Sequence, residues 1–154
     1  MDFKKNQKGF TLLELLIVLG LLAAVVLTIY SMYDFGTKTF IQQTEEITAG
    51  TELRDAMDLI IMECRKGQSF SAENKSITTK DYIVTFKLDG TTFKMIKTDR
   101  VTTAKSSTVL CYNVSSYKFD VGSKKIDIAI YSNVKDSGGN EMFLEATHYI
   151  RGSN

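Results

Sequence analysis

Residues 8–18 read KGFTLLELLIV and place one carboxylate, Glu14, at the start of a long apolar stretch. Residues 15–33 contain no charged side chain. At about 1.5 Å of rise per residue, a helix of this length covers roughly the 30 Å hydrocarbon core of a bilayer. The stretch therefore predicts a single membrane-spanning helix.

The nine residues before Phe10 form a basic leader with three lysines and one aspartate. An excess of lysine holds a flanking segment on the cytoplasmic side, so the rest of the chain is expected outside. A secretory signal has an apolar region of about 7 to 15 residues that ends in a small-residue cleavage site. Here the apolar stretch is longer, and only the pair Ala23-Ala24 comes close to such a site. These features predict a membrane anchor rather than an ordinary secretory signal.

Glu14 is the charge in this region that needs a physical explanation. A carboxylate near the centre of a spanning helix costs about 2.5 to 3.5 kcal/mol on insertion scales, and less near the interface where Glu14 would lie. We therefore expect Glu14 to meet a cation, either inside the membrane or inside an assembly. The alternative is a tolerated interfacial charge on a plain anchor.

The hexapeptide Gly9-Phe10-Thr11-Leu12-Leu13-Glu14, with its lysine-rich leader and its apolar helix, resembles the class III signal of type IV pilins and type II secretion pseudopilins. The resemblance implies that a prepilin peptidase cuts between Gly9 and Phe10 and methylates the new amino terminus. It also implies that Glu14 neutralises the amino terminus of a neighbouring subunit. Two charges near 4 Å attract by about 4 kcal/mol at an effective dielectric of 20.

The same resemblance implies the partners and the location of the chain. The partners would be the prepilin peptidase, other pilin or pseudopilin subunits, the pilus assembly platform and the membrane. The subunit would first lie in the cytoplasmic membrane as a single-pass protein with its C-terminal domain outside. It would then become part of an extracellular filament.

Beyond residue 33 the sequence turns polar but keeps a helical period. Leu53, Met57, Ile60 and Cys64 recur on one face, which predicts an amphipathic helix half-laid on a sheet. Basic residues at 65 and 66 followed by Gly67 predict the end of the helix near residue 66.

Two glycines interrupt the middle of this predicted helix. Gly36 and Gly50 each cost about 1 kcal/mol relative to alanine, so the helix is expected either to bend or melt there or to tolerate them. The chain contains no proline, so we expect no proline kink.

From Gly67 onward the period becomes that of strands. Residues 82–88 alternate, Asp89-Gly90 predicts a hairpin turn, and residues 92–96 form the returning strand. Further strands are predicted at 109–114, 117–121, 125–131 and 141–150. The predicted fold is α+β and pilin-like: a leader at 1–9, a long helix at 10–66 that crosses the membrane in its first half, and an antiparallel sheet of four to six strands at 67–154.

Two further segments, residues 51–66 and 145–151, resemble minor pilins of the W type and pseudopilins of the J type. This resemblance implies a minor type IV pilin that contributes to pilus assembly or initiation. The alternative within the family is a J-like pseudopilin of a type II secretion or competence system. An alternative of another class is a membrane-anchored binding or sensor domain that never polymerises.

Cys64 and Cys111 are the two cysteines of the chain and are candidates for a disulfide that joins the helix to the sheet. Such a bond would close a loop of nearly fifty residues, worth about 4 kcal/mol in the loop-entropy model. The more apolar row of the 109–114 strand contains Leu110 rather than Cys111, so the sequence does not fix the direction of Cys111. The alternative is a pair of buried free thiols.

The sequence offers no catalytic site. His148 is the only histidine and lies in an apolar row of a predicted strand, and no nucleophile motif accompanies it. Residues 136–141 could offer oxygens to calcium, but their spacing favours a polar hairpin turn. We therefore expect no enzyme, no cofactor and no metal site.

The net charge is +1, falling to about −1 without the leader, so no nucleic-acid partner is predicted.

Overall fold

The structure is a computed structural model that describes residues 10–150. Within that range the chain forms one helix and eight strands. The helix α1 comprises Leu12–Lys66. The strands are β1 (Ser69–Ser71), β2 (Ser76–Thr78), β3 (Tyr82–Asp89), β4 (Thr92–Asp99), β5 (Lys105–Cys111), β6 (Val114–Val121), β7 (Lys125–Lys135) and β8 (Glu141–Tyr149).

The chain divides into two compact units, Met1–Ile41 and Gln42–Asn154. All strands belong to the second unit and pair in antiparallel fashion. They form two sheets, a five-stranded sheet in the order β1-β2-β3-β4-β5 and a three-stranded sheet in the order β6-β7-β8. The predicted hairpin is present, because Asp89 pairs with Thr92 across a two-residue turn in which Gly90 has a φ of 62°.

The expectation of one sheet with four to six strands is wrong, and the segment 109–114 shows why. This segment was predicted as one strand, but β5 ends at Cys111 and β6 begins at Val114. Asn113 between them has a φ of 54°, a left-handed conformation that interrupts a strand. Its carbonyl accepts hydrogen bonds from the Asn133 amide at 2.6 Å and the Ser132 hydroxyl at 3.1 Å, which hold the break in place. The chain therefore leaves one sheet and enters the other at this point.

The core of the second unit lies between one face of α1 and the inner faces of both sheets. The helix contributes buried side chains that recur every three or four residues: Leu53, Ala56, Met57, Ile60 and Cys64. The five-stranded sheet contributes Ile77, Val84, Phe86, Phe93 and Met95, and the three-stranded sheet contributes Phe119, Ile126, Ile128 and Ile130. Aromatic rings join the two sheets, with 4.7 Å between the ring centroids of Phe93 and Tyr117. This arrangement confirms the α+β fold of a long helix packed on antiparallel strands.

The two glycines that were expected to weaken the helix do not interrupt it. The helix runs without a break through Gly36 and Gly50. A Cβ atom at Gly50 would meet the Cε atom of Met142 at 3.5 Å, an ordinary van der Waals contact. Both glycines therefore lie inside a continuous helix.

Gly67 directly follows the last turn of the helix, but its role there is close packing rather than a left-handed cap. Its amide donates to the carbonyl of Cys64 at 3.1 Å, but its φ is not in the left-handed region. A Cβ atom at this position would lie 2.6 Å from the Phe70 ring and 2.7 Å from the Ile77 side chain. Gly67 is therefore required because two core side chains occupy the space that a side chain would need.

Replacement of Gly67 tests this close packing. Gly67→Ala is expected to lower the free energy of unfolding by about 1 to 3 kcal/mol, because Phe70 and Ile77 must move. Chemical unfolding of the purified full-length chain in detergent micelles, followed by circular dichroism, measures the change. Gly50→Ala is the matched control and should stabilise by up to about 1 kcal/mol, because it improves helix propensity without a clash. Equal stability of Gly67→Ala and the unmodified chain would contradict the packing argument.

Candidate functional site

The start of α1 is held by a reciprocal pair of hydrogen bonds between Thr11 and Glu14. The Thr11 hydroxyl oxygen accepts from the Glu14 amide at 3.3 Å. In return, Glu14 Oε2 accepts from the Thr11 amide and from the Thr11 hydroxyl, each at 3.0 Å. This is a capping box, which satisfies two backbone donors that a helix start would otherwise leave unpaired.

Glu14 therefore has a local role that our sequence reasoning missed. The T-x-x-E pattern at 11–14 is the sequence signal of a capping box and could have been found. Both bonds from Thr11 converge on Oε2, and among residues 10–150 no hydrogen-bond partner is found for Oε1. The carboxylate is thus oriented by its own helix while one oxygen stays accessible to another group.

The helix that follows presents apolar side chains on all sides. Phe10 is 82% exposed, and large apolar residues remain exposed along the first unit, for example Leu13, Leu16, Val26 and Tyr33. By length and composition, α1 is long and apolar enough to cross a membrane. A helix that is apolar all round needs apolar surroundings, either lipid or other helices.

The Thr28 hydroxyl within this apolar stretch is satisfied inside the helix. The Thr28 hydroxyl donates to the carbonyls of Ala24 at 3.1 Å and Val25 at 2.7 Å. Such bonds remove the penalty of an unpaired hydroxyl in hydrocarbon.

The proposed cleavage point involves Gly9, which lies outside the described residues.

In the second unit, Glu63 is a fully buried carboxylate in the last turn of α1. Its Oε1 accepts from Lys97 Nζ at 2.9 Å and from Lys66 Nζ at 3.3 Å. Its Oε2 accepts from the Tyr82 hydroxyl at 2.9 Å. Because Tyr82 begins β3 and Lys97 lies in β4, this carboxylate joins the end of the helix to two strands of the five-stranded sheet.

Two opposing effects set the pKa of Glu63. Burial disfavours the charged form and raises the pKa, whereas hydrogen bonds from Lys97, Tyr82 and Lys66 favour the charged form. The bonds prevail, so the pKa of the carboxyl lies below its ordinary value. The negative end of the helix dipole opposes a carboxylate at this position. Glu63 is therefore kept ionised mainly by partners from the sheet.

The sequence indicates that Glu63 is buried, although our prediction did not use this indication. Glu63 follows Ile60 by three residues and Ala56 by seven, so it lies on the apolar face of the helix. A charge on a buried face needs a partner, and the partners came from strands that are 19 and 34 residues away along the chain. Helical periodicity could have indicated the burial but not the identity of these partners.

Cys64 and Cys111, the candidates for a disulfide, are both free and buried. Burial raises the pKa of each thiol to about 12. The expected alternative of two buried thiols is therefore the state found in the structure.

The geometry of α1 explains why the two cysteines do not meet. Glu52 Oε2 accepts from the Tyr112 amide at 3.0 Å, which places Cys111 beside this part of the helix. Cys64 lies twelve residues further along α1, which corresponds to roughly 18 Å of helical rise. A disulfide requires Cα atoms within about 7 Å of each other. The two thiols therefore lie in the same core but at different heights along the helix axis.

The remaining candidates are the turn at residues 136–141 and His148. Asp136 Oδ1 accepts from the amides of Gly138 at 2.9 Å and Asn140 at 2.7 Å, so its carboxylate organises the turn between β7 and β8. No group of three or more potential metal-ligating residues occurs among residues 10–150. His148 lines a cavity of about 450 Å³ with Cys64, Arg65 and Phe70, and among residues 10–150 no serine or acidic residue lines that cavity.

Replacement of Glu63 tests the contacts by which its carboxylate connects the helix to the five-stranded sheet. Glu63→Gln is expected to lower the free energy of unfolding by about 1 to 3 kcal/mol, because the amide cannot replace the charge-assisted bonds. The measurement is urea unfolding of the full-length chain in detergent micelles near pH 7. The control is Glu73→Gln, an exposed side chain between β1 and β2, which should change stability by less than about 0.5 kcal/mol.

The contribution of Glu63 also depends on pH in a defined direction. Since its folded pKa is depressed, the stabilisation is complete above the ordinary value of 4.5 and is lost as pH falls through the lower folded pKa. The stability difference between Glu63→Gln and the unmodified chain should therefore disappear in strong acid. A difference that stays constant across this acidic range would contradict the role of the ionised carboxylate.

Comparison with known proteins gives one finding about the first unit. No curated protein and no solved structure matches the chain. The family profile of the prokaryotic N-terminal methylation motif matches residues 4–30, which include the three lysines of the leader, the capping box and most of the apolar stretch. This match supports a type IV pilin or a pseudopilin.

Proposed function

We propose that the chain is a minor type IV pilin, a structural subunit that contributes to pilus assembly or initiation. The observation that carries this proposal is the combination of the methylation motif at 4–30 with an apolar helix whose side chains are exposed on all sides. A helix of this kind can lie in a bilayer and then exchange lipid for the helices of other subunits. The role is structural and non-enzymatic.

In the proposed pathway a prepilin peptidase removes residues 1–9 and methylates the amino group of Phe10. The processed helix then leaves the cytoplasmic membrane and packs among other pilin helices on the assembly platform. Phe10 directly precedes the capped helix start, so cleavage creates a cationic amino group next to Thr11. Oε1 of Glu14 is available to the amino terminus of a neighbouring subunit.

The capping box supports this pairing for a physical reason. The bonds from Thr11 fix the direction of the carboxylate, so little side-chain entropy is lost when a neighbouring amino group binds. In an apolar bundle the attraction between the two charges is about 4 kcal/mol at an effective dielectric of 20. Glu14 thus combines a local capping role with a proposed role in assembly.

A J-like pseudopilin of a secretion or competence system shares all of these features and is the alternative within the family. The genes that lie beside this one would separate the two. A membrane-anchored sensor that never polymerises is the alternative of another class. It does not require removal of the leader, so processing separates it from both pilin functions.

Processing gives the first test of the proposal. When the chain is produced together with a prepilin peptidase, we expect loss of residues 1–9 and addition of one methyl group at Phe10, both measured by intact-mass spectrometry. A Gly9→Val variant should retain the leader, because the peptidase acts next to a small residue. A leader that stays on the unmodified chain in the presence of active peptidase would refute the pilin and pseudopilin functions together.

Glu14 gives the second test. Glu14→Val should insert into the membrane normally but enter filaments at least about tenfold less, because the charge is used only after assembly and 1.4 kcal/mol corresponds to tenfold. Quantitative immunoblotting of membrane and sheared filament fractions measures both amounts.

Thr11→Val is the matched control for capping. It removes the hydroxyl of the capping box but keeps the carboxylate and its bond from the Thr11 amide, so its incorporation should fall much less than that of Glu14→Val. If Glu14→Val assembled normally, or if Thr11→Val failed to the same extent, the proposed charge pairing would be wrong.

A further inference from the structure

A cavity of about 450 Å³ lies where the end of α1 meets the outermost strand of each sheet. β1 is outermost in the five-stranded sheet, β8 is outermost in the three-stranded sheet, and these two strands do not pair with each other. The last turn of α1, the start of β1 and the end of β8 line the space between them. We name this the helix-end cavity; the residues that matter for its chemistry are Cys64, Arg65, Gln68, Phe70, His148 and Ile150.

The inner wall of the helix-end cavity is apolar. Phe70 and Ile150 are half-buried and pack against the core of the second unit. Cys64 is fully buried, and burial raises the pKa of its thiol to about 12, so it acts as a small neutral apolar group. A cavity of about 150 Å³ with walls of this kind can hold a benzene ring. The helix-end cavity therefore has room for a flat apolar group the size of a single ring.

Three polar side chains line the same cavity and keep their hydrogen-bonding groups unused. The side chains of Arg65, Gln68 and His148 form no hydrogen bond and no ion pair within residues 10–150. The residues three and four positions before Arg65 are Met62 and Ile61, so the helix offers the guanidinium no acidic neighbour. These three side chains can therefore donate to a ligand.

The acidic side chains on the elements around the helix-end cavity already have donors of their own. In the last turn of α1, Glu63 is held by the three donors described above. In β7, Asp127 accepts from Lys125 Nζ at 2.7 Å. In β8, Glu145 accepts from the Tyr131 hydroxyl at 3.2 Å, and β1 contains no charged residue. The acids of these elements are thus engaged away from Arg65.

The uncompensated charge beside the helix-end cavity is positive. Arg65 lines it, and within the described part of the chain no acidic residue does. The Lys124 carbonyl accepts from the amide of Ile150 at 2.9 Å, so a second basic residue follows the end of β8 closely in space. Lys124 is exposed and forms no ion pair with any residue in the range 10–150. The charge at this place therefore favours an anion.

We propose that the helix-end cavity binds a small organic anion, a carboxylate carried on a flat apolar body the size of one ring. The Arg65 guanidinium binds the carboxylate through two parallel N–H bonds, the geometry that suits this pair of groups. His148 and Gln68 add donors beside it. The ring packs against Phe70, Ile150 and Cys64.

The two halves of the cavity select this class of ligand together. An inorganic anion would use Arg65 but would leave the apolar wall in contact with water. A neutral ring would cover the apolar wall but would leave the guanidinium and the imidazole without a partner. The site goes beyond the proposed function and does not depend on it, because none of its residues belongs to the first unit.

Benzoate is the probe that tests the site. His148 is the only histidine of the chain, so the Hε1 proton of its imidazole is a single reporter inside the cavity. The measurement is a benzoate titration of the full-length chain in uncharged detergent micelles near pH 7, followed by proton NMR. The His148 signal should shift in a saturable way, with half-saturation at about 10 mM, the affinity ordinary for a ligand of this size.

Two comparison ligands separate the contributions of charge and ring. Acetate carries the charge without the ring, and benzamide carries the ring without the charge. Each should bind at least about tenfold more weakly than benzoate, because each leaves one half of the cavity unused.

Replacement of Arg65 tests the proposed carboxylate contact. Arg65→Gln should weaken benzoate binding at least about tenfold, because the amide cannot form the charge-assisted pair of bonds. Arg65 is exposed and its side chain makes no bond within residues 10–150, so the variant should keep its fold, which its circular dichroism spectrum checks. Arg54→Gln is the matched control, because it removes the same charge from another exposed site of the helix. It should stay within about twofold of the unmodified chain.

The inference is overturned if benzoate gives no saturable shift up to about 100 mM, or if benzamide or acetate binds as tightly as benzoate. It is also overturned if Arg65→Gln binds like the unmodified chain or if Arg54→Gln weakens binding equally. Binding that appears only in a chain shortened to residue 150 would show that residues 151–154 occupy the cavity, which would overturn it too. Removal of the leader is measured separately, so none of these results bears on the proposed function.

Discussion

Burial of one face of α1 between two sheets is the constraint on which the rest of the second unit depends. The helix alone cannot shield Leu53, Met57 and Ile60, and neither sheet alone forms a closed core. Burial of each such side chain contributes about 1.5 to 3 kcal/mol, so the shared core supplies most of the stability. The break at Asn113 serves the same core, because it lets the chain move from one sheet to the other and cover the helix from two sides.

The two carboxylates near the ends of this helix, Glu14 and Glu63, have opposite electrostatic surroundings. Glu14 lies at the start, where the helix dipole favours a negative charge and Thr11 completes a capping box. Glu63 lies near the end, where the dipole opposes a negative charge and two lysines and a tyrosine compensate. The first leaves an oxygen for a partner outside the chain, whereas the second is fully used within it. One helix thus carries the proposed assembly group in the first unit and, in the second, a carboxylate that connects the helix to the five-stranded sheet.

A nearly neutral chain can still bring charged side chains together in space. A net charge of +1 gave no reason to expect an anionic partner. The fold nevertheless gathers charged groups that are far apart in sequence: Lys97 binds Glu63, and Arg100 donates to the carbonyls of Thr79 and Lys80. Composition averages over such groups, and only the tertiary structure reveals them.

The sequence by itself determined the apolar helix, its end near Lys66, the hairpin at Asp89-Gly90 and the methylation motif, because each depends on residues that are close together along the chain. Local periodicity and local hydrogen bonds decide such features. The tertiary structure alone decided that the strands form two sheets, that Cys64 and Cys111 lie at different levels of the core, and that Glu63 pairs with Lys97. These outcomes depend on the register and order of segments far apart in sequence, and a side chain's partner across such a distance is set by packing rather than by its neighbours in the chain.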